Sequence, residues 1–156
     1  MAWNNITWYT LEQLLKLIEE GWLPKFPHFK PIERRLATLF IQKYRIEGKY
    51  AFSVPLPTTR AKILMQKEEE WLRREAYLYC FKLDILIDCD YYYYIIEVKE
   101  RIRPSALGQL AIYHDLFIRE YKPNKPVYLG ITYLIRDTDV ETAAYARGIR
   151  LFPLGD

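Results

Sequence analysis

Three charged residues stand where charge is costly. In the stretch FKLDILIDCDYYYYIIEVKE, residues 81–100, Asp84, Glu97 and Lys99 interrupt runs that are otherwise apolar, β-branched and aromatic. Charged side chains are almost never fully buried unless they are paired, bound to metal or used in chemistry. The two runs read as strands joined by a tight turn. With Asp90 and Tyr91 as its central residues, Cys89 faces Tyr92 and Asp84 falls directly opposite Glu97, their Cβ atoms about 4.5–5.5 Å apart. Strand side chains alternate, so Glu97 and Lys99 share that face. A one-residue slip would send one acid to the other face, so turn length decides the chemistry. Asp88 and Asp90 flank or occupy the turn, which accounts for them.

Two carboxylates that close repel each other unless a cation lies between them. Magnesium, or manganese in its place, is a hard divalent ion that takes oxygen ligands and retains several waters, which suits such a pair. An ion of this kind polarises a phosphodiester and makes hydroxide from bound water. A lysine two residues on can hold the attacking water or neutralise charge on the transition state. The competing explanation is a cross-strand salt bridge of Lys99 with Asp84 or Glu97 at a sheet end. Lys99, Arg101 and Arg103 crowd behind the strand. Arg101, Arg103, Lys122 and Lys125 are candidate phosphate contacts, with a solvated strand end as the plainer alternative for the cluster behind Glu97.

Composition narrows the other possibilities. At 156 residues and 51% hydrophobic, the chain suits one domain with one real core. We expect an N-terminal helix and linker over 1–30 and the core over 31–156. No apolar run reaches the roughly 18–20 residues of a membrane span, and no signal peptide opens the chain, so a cytoplasmic protein is expected, in the host cytoplasm if its source is viral. Cys80 and Cys89 have neither metal-ligand nor disulfide-framework spacing and read as reduced, partly buried thiols. With Ser53 and Ser105 the only serines and His28 and His114 the only histidines, little remains for a histidine zinc site or a Ser-His-Asp triad. Fourteen tyrosines and abundant Lys and Glu resemble the bias of heat-adapted proteins.

The elements that must position the three charges follow from pattern. Thr10 and Gln13 form a capping box ahead of a helix with Leu11, Leu14, Leu15, Ile18 and Trp22 on its apolar face, stopped at Gly21. WLPKFPHFKP reads as a linker. A second helix is expected from Pro31 to Gly48 with Ile32, Leu36, Leu39, Phe40 and Tyr44 buried. KYAFSVPLP is a strand that Pro55 and Pro57 shorten or push to an edge. TTRAKILMQKEEEWLRRE is a charged helix with Glu68 to Glu70 on a wet face. After the hairpin, PSALGQLAIYHDLFIREY is a helix with Ser105 as N-cap and Leu107, Leu110, Ala111, Phe117 and Ile118 facing the core. VYLGITYLI is a strand buried on both faces, followed by a helix ending at Gly148 and a last strand, IRLFPL. A hairpin followed by helical crossovers predicts an α/β fold, a central mixed sheet flanked by helices.

FKLDILI, YYIIEVKE and LGQLAIYHDLF together resemble the PD-(D/E)xK nuclease superfamily, above all its RecB-like and archaeal or archaeal-virus members. The likeness spans roughly residues 75–156 and ends in AAYARGIRLF; Leu83 stands where many members have proline. It implies a restriction-endonuclease-like core with an N-terminal helical extension. It further implies Asp84, Glu97 and the Val98 carbonyl as metal ligands, Lys99 as the catalytic lysine, and Gln109 and Tyr113 lining the site at i, i+4 spacing. An acidic residue on the first core helix is also implied, with Glu33 as the candidate and Glu75 as the runner-up. The expectation is a magnesium- or manganese-dependent nuclease acting on DNA, duplex or branched, with a homodimer possible. The alternatives are a non-catalytic nucleic-acid-binding module and an interaction domain with a buried ionic cluster.

Overall fold

The computed structural model describes residues 6–23 and 29–155; His28 and half of the expected linker lie outside them. In chain order the elements are β1 (Tyr9–Thr10), α1 (Leu11–Glu19), α2 (Pro31–Tyr44), β2 (Lys49–Pro57), α3 (Thr59–Met65), α4 (Glu70–Ala76), β3 (Cys80–Asp88), β4 (Tyr93–Arg101), α5 (Pro104–Tyr121), β5 (Val127–Ile135), α6 (Thr138–Ala146) and β6 (Arg150–Pro153). The strands form one six-stranded mixed sheet whose spatial order is the chain order. β1 to β4 pair antiparallel, and β4, β5 and β6 pair parallel.

The crossovers dictate the layers. β4–α5–β5 and β5–α6–β6 step outward in the same direction, and right-handed crossovers then place both helices on one face. Ala106, Leu110, Tyr113, Phe117, Val140 and Ala144 accordingly pack with Leu86, Ile95 and Ile131 in one core cluster. The other face is left to the N-terminal helices: Leu14, Leu36, Phe40 and Ile41 pack there on Phe52, Ile87 and Ile96. Among the described residues no helix is long and apolar enough to cross a membrane. Cys80 and Cys89 are buried free thiols.

Several expected boundaries move. α1 has its Thr10–Gln13 capping box, but α2 ends at Tyr44 because Arg45 turns left-handed, and Leu39 points outward while Ala37 and Ile41 are buried. The charged segment after β2 breaks into two short helices; Arg73 caps the break by donating to the Lys67 and Glu68 carbonyls. Pro104 takes the first turn of α5, so Arg103 rather than Ser105 is its N-cap. The buried stripe of α5 is Ala106, Leu110, Tyr113, Phe117 and Tyr121, whereas Ala111 and Ile118 are exposed. β5 is buried only through its middle; Tyr128 and Leu134 are exposed. β2 keeps its full nine residues. Its two prolines fit because β1 covers the outer edge only opposite Lys49 and Tyr50, leaving no partner there that needs their missing N–H.

β2 and β3 change face at one level. Ala51, Val54, Leu83 and Leu86 all pack in the α5-side cluster, while Phe52 and Ile85 pack in the other. Strict alternation would separate Ala51 from Val54 and Leu83 from Leu86. The break coincides with Ser53, left-handed at φ 54°. The rung Ser53 would form with Asp84 is missing from an otherwise continuous register, Phe52 with Ile85 and Val54 with Leu83. It is a bulge-like kink beside Asp84.

The entry to β2 is equally constrained. Gly48 has φ +155°, and a Cβ there would lie 2.7 Å from the Asp88 carbonyl oxygen. Gly48→Ala should lower unfolding free energy by about 1–3 kcal/mol, measured by chemical denaturation; parental stability would mean that β2 does not start against Asp88.

Candidate functional site

The hairpin turn closes where spacing predicts, Cys89 N–H donating to the Tyr92 carbonyl at 3.0 Å. From it the β3–β4 ladder runs through Asp88–Tyr93 to Ile85–Ile96 and stops. β3 continues with β2 as far as Cys80, and β4 continues with β5 as far as Arg101. The sheet therefore forks, and Asp84 and Glu97 are the first residues past the last rung. Asp84 Oδ2 accepts the Val98 N–H at 2.9 Å, replacing the backbone acceptor that the departing strand no longer offers. A strand residue's N–H and C=O project to the same edge, so the Val98 carbonyl opens on the fork as well.

Both acids are buried, Asp84 6% and Glu97 1% exposed. Lys99, 30% exposed, holds its Nζ 3.9 Å from Glu97 Oε2. The Glu97 carboxyl is pushed well above the ordinary carboxylate range, first by burial and then by the Asp84 charge; Lys99 pulls the other way and does not win. Glu97 Oε1 is buried with no hydrogen-bond partner, a costly state for a polar atom. On the helix above, Gln109 Nε2 donates to the Tyr113 hydroxyl at 2.7 Å. Burial pushes the Tyr113 phenol up to about 12 against that hydrogen bond, and the charges of Glu97 and Asp84 add to the rise. The phenol thus keeps its proton and, with its oxygen already engaged as an acceptor, remains a donor. The Phe81 ring packs on it at 5.5 Å.

A paired, buried carboxylate in this chain looks different. Glu141 accepts the Tyr133 hydroxyl at 2.7 Å and pairs with Arg136 at 2.9 Å. Burial alone would raise its carboxyl, but the hydrogen bonds from Arg136 and Tyr133 outweigh it and hold the group below the ordinary range. Glu97 has no such partners. Its orphaned oxygen, the adjacent Asp84 and the Val98 carbonyl fit a hard divalent cation that keeps several waters. No three His, Cys, Asp or Glu side chains gather as a metal cluster among the described residues, so two acids are the side-chain ligands such an ion would find here.

Beyond Lys99 a cleft of about 430 Å³ opens between the first turns of α2 and α5, lined by Lys30, Glu33, Lys99, Glu100, Arg101 and Arg103 among others. It lies past the carboxyl end of β4, where open α/β sheets place ligands. Glu33 is therefore beside Lys99 rather than between the two acids, and its Oε2 accepts the Lys30 N–H at 3.2 Å as a helix cap. Glu75 is on α4, half-buried and outside the cleft.

Lys122 and Lys125 are not brought to the site. They precede β5 at the amino end of the parallel strands, and Lys122 closes α5 nine residues past Tyr113, about 13 Å along the helix. The Lys125 ammonium is held by Asp88 and the Cys89 carbonyl over the Tyr93 ring, pinning the hairpin turn. Sequence reasoning missed Lys30, whose signal was its place before a first-turn proline, and Ser53, which carried no signal.

Compared with protein-family models, curated proteins and solved structures, the chain has no match in any of the three.

The raised Glu97 carboxyl makes stability pH-dependent. A group whose folded value is raised stabilises fully below its unfolded value and loses that contribution as pH climbs through the folded one. Without divalent metal, unfolding free energy should therefore fall as pH rises above about 4.5. Glu97→Gln should flatten this part of the profile and be more stable than the parent at mildly alkaline pH. Urea denaturation across pH in chelator tests it; an unchanged profile would place the titration elsewhere.

Proposed function

We propose that the protein is a divalent-metal-dependent phosphodiesterase acting on nucleic acid, DNA foremost, on a restriction-endonuclease-like core. The observation that carries this reading is the buried Asp84–Glu97 pair at the sheet fork, with one orphaned oxygen and Lys99 at its rim. The core assignment is supported by the E-x-K strand lying between an antiparallel and a parallel neighbour and by the following helix, which sets Gln109 and Tyr113 over the site.

Asp84, Glu97 and the Val98 carbonyl would hold magnesium or manganese, which when bound supplies Lewis-acid polarisation of the phosphodiester and an acidified water. The chain's own groups do the rest. Val98 N–H fixes the Asp84 carboxylate, so that it does not rotate away from Glu97. Lys99, partly exposed and not fully consumed by Glu97, stabilises negative charge as it develops on the phosphoryl oxygens. Tyr113, oriented by Gln109, offers a phenolic proton to the same region. Arg101 and Arg103 hold phosphates flanking the reacting one.

A structural ionic cluster accounts for the site less well, because Glu141 illustrates how this fold satisfies a buried acid and Glu97 departs from that pattern. A passive binding module has no need to bury two carboxyl groups side by side.

The test is cleavage of labelled DNA with magnesium or manganese against chelator. Glu97→Ala and Lys99→Ala should each reduce cleavage at least about a hundredfold, and calorimetry should show metal binding to the parent that Asp84→Asn loses. Undiminished cleavage by both alanine variants would sink the assignment.

A further inference from the structure

We propose that Ser53 is a positioning residue for the two-acid site: its left-handed backbone turns the Asp84 side chain off the face of the sheet and into its plane, across the fork to Val98. What the placed acid then holds rests on the phosphodiesterase reading; the placement itself follows from strand geometry. The β2–β3 register is the same on both sides of the kink, Phe52 with Ile85 and Val54 with Leu83, so neither strand gains a residue. What changes is the face. Ile85 packs on the α1–α2 side and Leu83, two residues away, on the α5 side. In a regular strand each step turns the side chain by about 180°, so residues two apart share a face. From Ile85 to Leu83 the two steps together turn it by only about 180°, which leaves the residue between them near the plane of the sheet. That residue is Asp84.

The plane of the sheet is where a strand's own hydrogen-bonding groups point. Asp84 Oδ2 is found there, accepting the Val98 N–H at 2.9 Å. Continued past its last rung, Ile85 with Ile96, a straight β3 would meet that N–H with the Leu83 carbonyl. The carboxylate stands in for it, and the strands part at this level.

The turn has to be taken up by some backbone, and Ser53 takes it. Among the described residues other than glycine, left-handed φ occurs at Arg45, Ser53 and Lys122, at 46°, 54° and 44°. Arg45 and Lys122 end α2 and α5, where such a conformation is usual. Ser53 lies inside a strand, and Asp84 has no positive φ. A left-handed serine is costly and persists where its surroundings hold it. With an extended residue at 53, β2 and β3 would alternate regularly, and Asp84 would stand over the sheet face with its carboxylate turned from Val98.

Two variants separate backbone from hydroxyl. Ser53→Gly removes the hydroxyl and takes positive φ freely, whereas Ser53→Thr keeps the hydroxyl on a β-branched residue that resists it. Amide hydrogen exchange of the intact chain in chelator reads the placement without metal. In Ser53→Thr the Val98 amide should exchange at least about tenfold faster relative to Ile96, and calorimetry should show manganese binding at least about tenfold weaker. Ser53→Gly, the conservative variant, should match the parent in both. Ser53→Ala, a milder demand of the same kind, supplies the comparison if Ser53→Thr does not fold. The opposite order, with Ser53→Thr like the parent and Ser53→Gly impaired, would assign the effect to the hydroxyl and overturn the proposal. So would Val98 exchange that is indifferent to residue 53. Exchange that follows the predicted order in a parent that binds no manganese would remove the phosphodiesterase reading and leave Ser53 as the residue that places Asp84. Metal-dependent cleavage with Val98 exchange and manganese affinity unmoved by these variants would do the reverse.

Discussion

Two carboxyl groups held side by side out of water are the constraint around which this fold is arranged. Asp84 and Glu97 cannot be relieved by solvent, since both are buried. The cation within reach is Lys99, at 3.9 Å. At an effective dielectric near 20 its attraction is about 4 kcal/mol. Burying a carboxylate costs several kcal/mol even after relaxation, and repulsion from Asp84 adds to that. The balance falls against the charged form of Glu97, which is why its carboxyl is pushed up despite the lysine. The site is left with a deficit of positive charge that a divalent ion can fill.

The fork is what makes this contact attainable. Were β3 and β4 paired along their whole length, backbone would meet backbone and the Asp84 carboxylate would have no free N–H to accept. Because β3 stays with β2 and β4 stays with β5, Val98 N–H is released to Asp84. The kink at Ser53 belongs to the same arrangement, since it shifts β2 and β3 to the opposite face at the level of Asp84. The crossover helix α5 then closes over the opening with Tyr113 on its buried stripe.

What was legible in the sequence was local. Asp90 and Tyr91 set a turn length, and with it the register that brings Asp84 level with Glu97. Thr10 with Gln13 and Pro31 marked helix starts through capping chemistry confined to three or four residues. What was illegible depends on distant parts. Lys125 reads as a free surface cation until the fold brings it to Asp88, thirty-seven residues away in sequence. The buried side of α5 was misassigned because Tyr113 and Tyr121 count as polar in a pattern, yet their hydroxyls find Gln109 and the Pro55 carbonyl and their rings can be buried. The left-handed turn at Ser53 has no residue type that announces it, since serine is not the usual occupant of that region.

The placement of the cations completes the logic of the site. An arginine in bidentate contact with Glu97 would settle the carboxylate as Arg136 and Tyr133 settle Glu141, and a metal would gain nothing by binding. In this fold the arginines instead stand two and four residues beyond Lys99, in a cleft of their own, too far along the strand to neutralise the acids. Positive charge is thus divided by location, Lys99 beside the buried carboxylates and Arg101 and Arg103 at the exposed rim; under the proposed function the first arrangement leaves room for a metal and the second meets phosphate. Lys99, partly exposed between the two, is weak enough as a partner of Glu97 to remain available to an anion. That separation, rather than net charge, which is only +3 for the whole chain, is what gives the site its polarity.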